Sequence, residues 1–156
     1  MQGDPEIIEL LNEVLTAELT AINQYFVHAK MQDNWGYQRL ASHTRDESID
    51  EMRHAETITE RILYLEGHPN LQRLGSVRVG ETVPEQMQLD LELEYAAIER
   101  LNRCVAASVD KGDNASRHLF ETLLVDEEEH ADWLETQIAA IAAIGDQNYL
   151  SQQLYS

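Results

Sequence analysis

The stretches ESIDEMRHAE at residues 47–56 and DEEEHADWLETQ at residues 126–137 decide how this chain folds. Each contains a glutamate followed three positions later by a histidine: Glu51 with His54, and Glu127 with His130. Residues three apart lie on one face of an α-helix, so both members of a pair point in the same direction. A single pair of this kind is usually a solvated helix face. Its repetition is the feature that needs an explanation.

The helix faces that carry these pairs are apolar above and below them. Spacings of three and four residues trace one such stripe on each of four helical segments. The middle of the stripes is ionisable, and the six residues found there are Glu18, Glu51, His54, Glu94, Glu127 and His130. An ionised carboxylate in an apolar interior costs several kcal/mol. Four such carboxylates carry about −4, a charge that two divalent cations would neutralise.

The six residues also form an internal repeat with a shift of 76 positions. The shift relates Glu18 to Glu94, Glu51 to Glu127 and His54 to His130, together with apolar neighbours such as Ile22 and Ile98. The chain is therefore predicted to consist of two helical hairpins, related by an approximate twofold axis. Each hairpin would supply half of one site.

The predicted fold is all-α, a four-helix bundle with one long crossover connection and a short C-terminal fifth helix. The expected helices span residues 5–34, 38–65, 82–111 and 114–144, with the short helix after Gly145. Two short turns and one long link, which contains three of the seven glycines, suit this topology and leave the second and third helices parallel. An α-solenoid is the alternative, but no repeat of the required length supports it.

Length and charge narrow the class of protein. The 156 residues suit one domain, residues 1–156, and the net charge of −18 would repel a nucleic-acid backbone. No apolar run approaches the roughly 20 residues of a membrane span, and the N-terminus does not resemble a secretory signal. The single cysteine, Cys104, cannot form an internal disulfide. A cytoplasmic protein without nucleic-acid or membrane partners is expected.

Four carboxylates and two imidazoles form a hard oxygen and nitrogen ligand set that lacks thiolates. Two bridged metal ions would lie about 3.5–4 Å apart, with Glu51 and Glu127 as the natural bridges. Glu18 and His54 would complete one metal site, and Glu94 and His130 the other. This pattern occurs in ferritin-like di-iron and di-manganese proteins. A carboxylate-rich shell favours Fe³⁺ over Fe²⁺, so oxidation of bound iron is the expected reaction, while manganese or zinc stays open.

Over essentially its whole length the chain resembles a bacterioferritin. The resemblance is carried by ELTAINQYF at 18–26, ESIDEMRHAE at 47–56 and DEEEHADWLETQ at 126–137, and all six ligand positions hold the expected residue type. It implies a ferroxidase that oxidises Fe²⁺ with oxygen or peroxide at a di-iron centre. It further implies a hollow shell of twenty-four subunits, built from twofold dimers, in which ferric mineral is stored.

Met52 is the candidate heme ligand. It follows Glu51 by about 100° around the helix and so points away from the metal stripe. A mid-helix methionine is more often a packing residue. The bacterioferritin resemblance, however, implies a b-type heme at the dimer twofold, held by one such methionine from each subunit. Two thioether ligands raise the potential of heme iron, which suits electron delivery from a ferredoxin-type reductant during iron release.

Several residues near the six ligands have open roles. Tyr25 and Trp133 would either assist the metal site through electrons or hydrogen bonds or pack in the core. Glu47 lies on the ionisable stripe of its helix, whereas its counterpart under the repeat is Leu123. Asp50 and Asp126 precede the two histidines by four residues and are expected to be solvated, with a role in orienting the metal ligands as the alternative. Two other functions also remain: a soluble di-iron peroxidase or oxygenase, and a structural helical assembly without metal chemistry.

Overall fold

The computed structural model describes residues 1–155, which contain five helices and no strand. The helices are α1 (Pro5–Asn34), α2 (Gln38–Tyr64), α3 (Val83–Lys111), α4 (Asn114–Ile144) and α5 (Asp146–Ser151). The predicted all-α bundle with a long crossover and a short fifth helix is therefore confirmed. None of these five helices is long and apolar enough to cross a membrane.

Local sequence signals explain where the long helices begin and end. The Asp4 carboxylate accepts a hydrogen bond of 2.8 Å from the backbone N–H of Glu6 at the start of α1. Asp113 caps α4 in the same way. These side chains satisfy backbone donors that have no partner inside the helix. Gly112 ends α3 with a φ of 69°, a left-handed conformation that glycine adopts without strain.

The crossover at residues 66–82 runs along α1. The backbone N–H of Asn70 donates to the Asn12 side chain near the start of α1, and that of Gly80 donates to Nε2 of His28 near its end. α3 therefore begins beside the C-terminal half of α1 and runs antiparallel to it. Because α2 is also antiparallel to α1, α2 and α3 are parallel, as predicted.

His28 fastens the crossover to the bundle. Its ring is fully buried, and Nδ1 lies 2.9 Å from Oδ1 of Asp90 on α3. Because Nε2 accepts the Gly80 hydrogen bond, Nδ1 carries the proton and donates to Asp90. Gln24 of α1 donates to the same aspartate at 2.9 Å. Buried polar side chains thus hold the long connection in place.

The bundle has two apolar cores separated by a polar layer. α1 packs mainly on α2, and α3 mainly on α4, while α1–α3 and α2–α4 form the other two faces. One core contains Ile7, Leu11, Ile58, Leu101 and Phe120 among others, and the second contains Leu40, Met87, Leu91, Leu134 and Tyr149. The ionisable residues predicted at the middle of each stripe lie between these two cores.

Candidate metal centre

The polar layer brings together all six residues singled out by the repeat. Each is buried, with an exposed fraction between 1% and 8%: Glu18, Glu51, His54, Glu94, Glu127 and His130. They form two groups whose candidate ligand atoms lie within 4.8 Å of one another. One group is Glu18, Glu51, His54 and Glu127, and the other is Glu51, Glu94, Glu127 and His130. Glu51 and Glu127 belong to both groups, the geometry that bridging ligands require.

The two histidines direct Nδ1 into this cluster from opposite hairpins. Nδ1 of His54 lies 3.1 Å from Oε1 of Glu127, and Nδ1 of His130 lies 3.2 Å from Oε1 of Glu51. Each histidine therefore faces the glutamate of the other hairpin's pair. The two imidazole rings lie 6.4 Å apart between centroids and are nearly parallel. An approximate twofold relation between the halves is visible in these contacts.

Each of the six side chains has a buried atom without a hydrogen-bond partner. These atoms are Glu18 Oε2, Glu51 Oε1, His54 Nδ1, Glu94 Oε2, Glu127 Oε1 and His130 Nδ1. Some of them approach one another closely, but without the angles of a hydrogen bond. Leaving buried polar atoms unsatisfied costs about 1–3 kcal/mol each, and more when the group is charged. The donor set and its unsatisfied lone pairs fit two divalent cations.

The outward nitrogens of the histidines have carboxylate partners that differ between the halves. Nε2 of His54 lies 2.9 Å from Oδ2 of Asp126. Nε2 of His130 lies 2.6 Å from Oε2 of Glu47 and 3.6 Å from Oδ2 of Asp50. The Asp126 side chain is 44% exposed, so it is partly solvated as expected while it also contacts His54. A carboxylate that holds the outer nitrogen orients a metal-binding histidine and raises its basicity.

The metal-free cluster retains protons. Burial disfavours the charged form of His54, but Glu127 and Glu51 outweigh it and raise the pKa of His54 to about 11. The pKa of His130 is raised still further by the carboxylates around it, against the effect of burial. Burial and the Glu127 charge also raise the pKa of Glu94 well above its ordinary value. Cations entering this cluster must displace protons.

Two aromatic residues near the cluster have different relations to it. The Tyr25 hydroxyl donates to Oε1 of Glu94, and burial followed by the Glu94 charge raises the pKa of Tyr25. Trp133 stacks on the ring of His43, with centroids 3.6 Å apart. Nε2 of His43 lies 2.9 Å from Oε1 of Glu47, so His43 and Glu47 connect Trp133 with the cluster.

Met52 lies outside the cluster on the outward face of α2. Its side chain is 50% exposed, and Phe26 on the neighbouring α1 is 57% exposed. Ile49, on the same face of α2 one turn earlier, is partly buried. A thioether at this place is accessible to a group or surface outside the chain and cannot contribute to the cluster.

Comparison with known proteins identifies close relatives. A family model described as a ferritin-like domain matches residues 8–144. Bacterioferritin BfrA of Mycobacterium tuberculosis is 55% identical over 152 residues, covering 97% of this chain and 96% of the relative. A bacterioferritin of Streptomyces coelicolor is 58% identical over 151 residues, covering 97% and 90%. The solved structure of a mycobacterial bacterioferritin superposes with a TM-score of 0.97 at 57% identity, covering 98% and 95%.

Proposed function

This chain belongs to the bacterioferritin family, and on that premise we propose that it stores iron after oxidising Fe²⁺ at the six-residue cluster. The observation that carries the proposal is that six buried atoms able to bind a metal lack hydrogen-bond partners and lie together in two overlapping groups. A purely structural bundle has no use for this costly arrangement. The whole chain, residues 1–156, would act as one domain built around the cluster.

Iron would be bound as the substrate of the reaction. Glu18 and His54 would hold one Fe²⁺, Glu94 and His130 the other, and Glu51 and Glu127 would bridge them. Each ion gives up one electron. Dioxygen accepts two electrons and two protons to become hydrogen peroxide, and hydrogen peroxide accepts two electrons and two protons to become two water molecules. The carboxylates favour the product because their charge stabilises Fe³⁺ more than Fe²⁺.

The outer nitrogens of the two histidines lie beside carboxylates that orient the rings. Asp126 and Glu47 hold the outer nitrogens of the two histidines and keep Nδ1 of each directed at the cluster. Burial works against ionisation of Glu47, but His130 and His43 outweigh it and lower the pKa of Glu47 to about 2. Glu47 therefore stays ionised and keeps the His130 ring in its orientation.

Storage requires an assembly, and we propose the twenty-four-subunit shell built from twofold dimers that the family resemblance implies. Oxidised iron would collect inside it as ferric mineral. The charge of −18 per chain supports this proposal, because a strongly acidic shell attracts cations.

A heme at the dimer twofold is the second part of the proposal. The exposed thioether of Met52 on α2 and the exposed Phe26 on α1 fit a ligand and an apolar surface that a dimer would bury. When bound there, the heme would supply electrons for reduction of stored iron, with a ferredoxin-type protein as the external reductant.

An anaerobic titration with Fe²⁺ followed by addition of oxidant tests the proposed reaction. We expect binding to saturate at two Fe²⁺ per chain, followed by oxidation whose rate depends on oxidant concentration. Glu94→Leu should prevent both, while Glu92→Leu, an exposed neighbour on the same helix, should prevent neither. Iron oxidation that survives Glu94→Leu would contradict the assignment of the cluster.

The size of the iron-loaded protein separates storage from other di-iron chemistry. A large spherical particle that accumulates many iron atoms per chain is expected. A dimer that turns over peroxide without retaining iron would instead indicate a soluble di-iron peroxidase. Sedimentation velocity with iron analysis of each fraction distinguishes the two.

A further inference from the structure

A stacked pair of rings, Trp133 of α4 and His43 of α2, lies to one side of the metal-binding cluster. Their centroids are 3.6 Å apart and their planes differ by 18°. Trp133 packs against the second apolar core, beside residues such as Leu40 and Leu134, so its ring has a fixed place. The stack therefore holds the plane of the His43 imidazole, although 35% of that side chain is exposed.

The imidazole of His43 faces the carboxylate that holds His130. His43 and Glu47 are four residues apart on one face of α2. Nε2 of His43 is buried and lies 2.9 Å from Oε1 of Glu47, whose other oxygen lies 2.6 Å from Nε2 of His130. Both contacts are short but lack the angle of a hydrogen bond, so their strength depends on where the side chains are held. The Glu47 carboxylate thus lies between two imidazoles.

The other hairpin has no equivalent of this arrangement. Under the shift of 76 positions, His43 and Glu47 correspond to Leu119 and Leu123, which pack in or against the first apolar core. The bundle therefore accepts apolar residues at these positions in one of its halves. An imidazole and a carboxylate in the other half are not explained by packing and point to a role beside the metal centre.

We propose that His43 is a positioning residue, which fixes Glu47 and through it the ring of His130. The stack on Trp133 holds His43 in place for this role. A glutamate side chain has several rotatable bonds, so a contact at its outer oxygen limits the orientations of the carboxylate. A fixed carboxylate in turn keeps Nδ1 of His130 directed at the adjacent metal position. The inference rests on the function proposed above, because it requires that His130 binds a metal ion.

Two substitutions of His43 separate its nitrogen from its ring. His43→Phe keeps a ring that stacks on Trp133 but has no nitrogen to contact Glu47. His43→Gln loses the ring and places an amide N–H near the former place of Nε2. We expect His43→Phe to lower Co²⁺ affinity about tenfold at the position beside His130, the lower end of the effect of losing an outer partner. His43→Gln should restore most of it, and affinity at the position beside His54 should stay unchanged in both variants.

Anaerobic titration monitored by the visible absorption of Co²⁺ measures these affinities. Anomalous diffraction from partly loaded crystals identifies the position that has lost its ion. His118→Phe makes the same change at an exposed position of α4 and should match the parent protein. Trp133→Leu removes the stack and should weaken the same position as His43→Phe by a smaller factor. Parental affinity in that variant would contradict the role of the stack.

A double substitution shows whether His43 acts through Glu47. Glu47→Leu removes the carboxylate and should itself weaken the metal position beside His130. Adding His43→Phe should then change Co²⁺ affinity by less than about twofold, because the contact that it removes is already absent. An effect as large as in the parent protein would mean that His43 acts by packing alone, which would overturn the proposal.

Three further results would also overturn it. One is a His43→Phe protein with parental Co²⁺ affinity at the position beside His130. Another is a His43→Phe protein that loses affinity equally at both positions, as a general loosening of the fold would cause. The third is a His43→Gln protein that binds Co²⁺ no better than His43→Phe. A parent protein that binds two Co²⁺ but never oxidises Fe²⁺ would instead contradict the proposed function and leave these affinities interpretable.

Discussion

The two hairpins of the bundle, α1–α2 and α3–α4, have the same residues at the six-residue cluster but different residues immediately around it. Each contributes one glutamate from its first helix and a Glu-x-x-His pair from its second, and the shift of 76 relates them residue by residue. One step further out, Glu47 corresponds to Leu123, and Met52 corresponds to Glu128. The shared positions are those proposed to bind the two metal ions.

The difference between the hairpins concerns how each histidine is held. The outer nitrogen of His54, Nε2, has Asp126 as its carboxylate partner, and the counterpart of Asp126 under the repeat is Asp50. His130 has Glu47 at 2.6 Å, while Asp50 lies at 3.6 Å. The symmetry of the sequence is therefore broken by one added carboxylate. Binding of two similar ions, as proposed, would require the same inner residues in both hairpins but would allow their outer partners to differ.

Removing a ligand shared by both halves should have the largest effect. Glu127→Gln retains the size of the side chain but removes the charge that both metal positions use. We expect oxidation of Fe²⁺ to fall by more than the roughly 10–100-fold that loss of an outer partner causes. Stopped-flow absorbance after oxidant addition measures the rate. Glu128→Gln, an exposed neighbour, serves as the control, and equal rates in the two variants would contradict a shared bridging role.

Matched substitutions of Asp126 and Asp50, the aspartates near the outer histidine nitrogens, should affect the two metal positions to different extents. Asp126→Asn leaves His54 without its carboxylate partner, so one metal position should lose about 10–100-fold in affinity. Asp50→Asn should have a smaller effect, because Glu47 still holds His130. Anaerobic titration with Co²⁺, monitored by its visible absorption, measures the two positions.

A further substitution should make the two metal positions equally weak. Adding Glu47→Leu to Asp50→Asn installs the residue found at the counterpart position and removes the remaining partner of His130. The metal affinity of the position beside His130 should then fall as far as that of the position beside His54 falls in Asp126→Asn. If Asp50→Asn alone already lowers metal affinity as much as Asp126→Asn does, the additional carboxylate of Glu47 does not affect metal binding.

The pH dependence of metal binding should follow from the protonated histidines. In the metal-free chain the pKa of His54 is about 11, and that of His130 is raised well above its ordinary value. Each metal must displace a proton, so affinity should increase about tenfold per pH unit for each proton released. The raised pKa of His54 also stabilises the metal-free fold below a pH of about 6.5, and this contribution is lost as the pH rises through about 11.

Calorimetric titration in buffers of different ionisation enthalpy measures the protons released. We expect release of at least one proton per bound metal ion at neutral pH. Binding without proton release, or affinity independent of pH between 6 and 8, would indicate that the imidazoles are already neutral before the metal arrives.

The smallest effect on iron oxidation is expected at Met52, where the hairpins differ but the cluster is not touched. Met52→Leu should remove the heme absorption of the protein and leave the rate of Fe²⁺ oxidation unchanged. Leucine conserves the volume of methionine, so the fold should be retained. Met31→Leu, a partly buried methionine of α1, is the control that should keep the heme. Heme absorption that persists in Met52→Leu would exclude this residue as the axial ligand.

Much of this architecture could be predicted from the sequence because the controlling signals are local. Asp4, Thr82 and Asp113 cap helices, Gly112 ends one, and the predicted helix bounds lie within about one residue of those observed. The six-residue cluster was predictable because periodicity fixes which helix face each residue occupies. The inferred resemblance to bacterioferritins is confirmed by the relatives.

Contacts that depend on how the helices rotate against one another could not be predicted. Glu47 and Asp50 lie on nearby faces of α2, and only the packing of α4 decides that Glu47 is nearer to His130. The stacking of His43 on Trp133 depends on the same packing. The sequence alone indicates no role for His28, because its partners are the distant Asp90 and a backbone N–H of the crossover.

Anomalous diffraction from crystals loaded with Fe²⁺ under anaerobic conditions tests most directly whether the cluster binds a metal pair. We predict two iron peaks about 3.5–4 Å apart, one beside His54 and one beside His130, with Glu51 and Glu127 between them. Peaks confined to the surface, or a single ion at the cluster, would contradict the account.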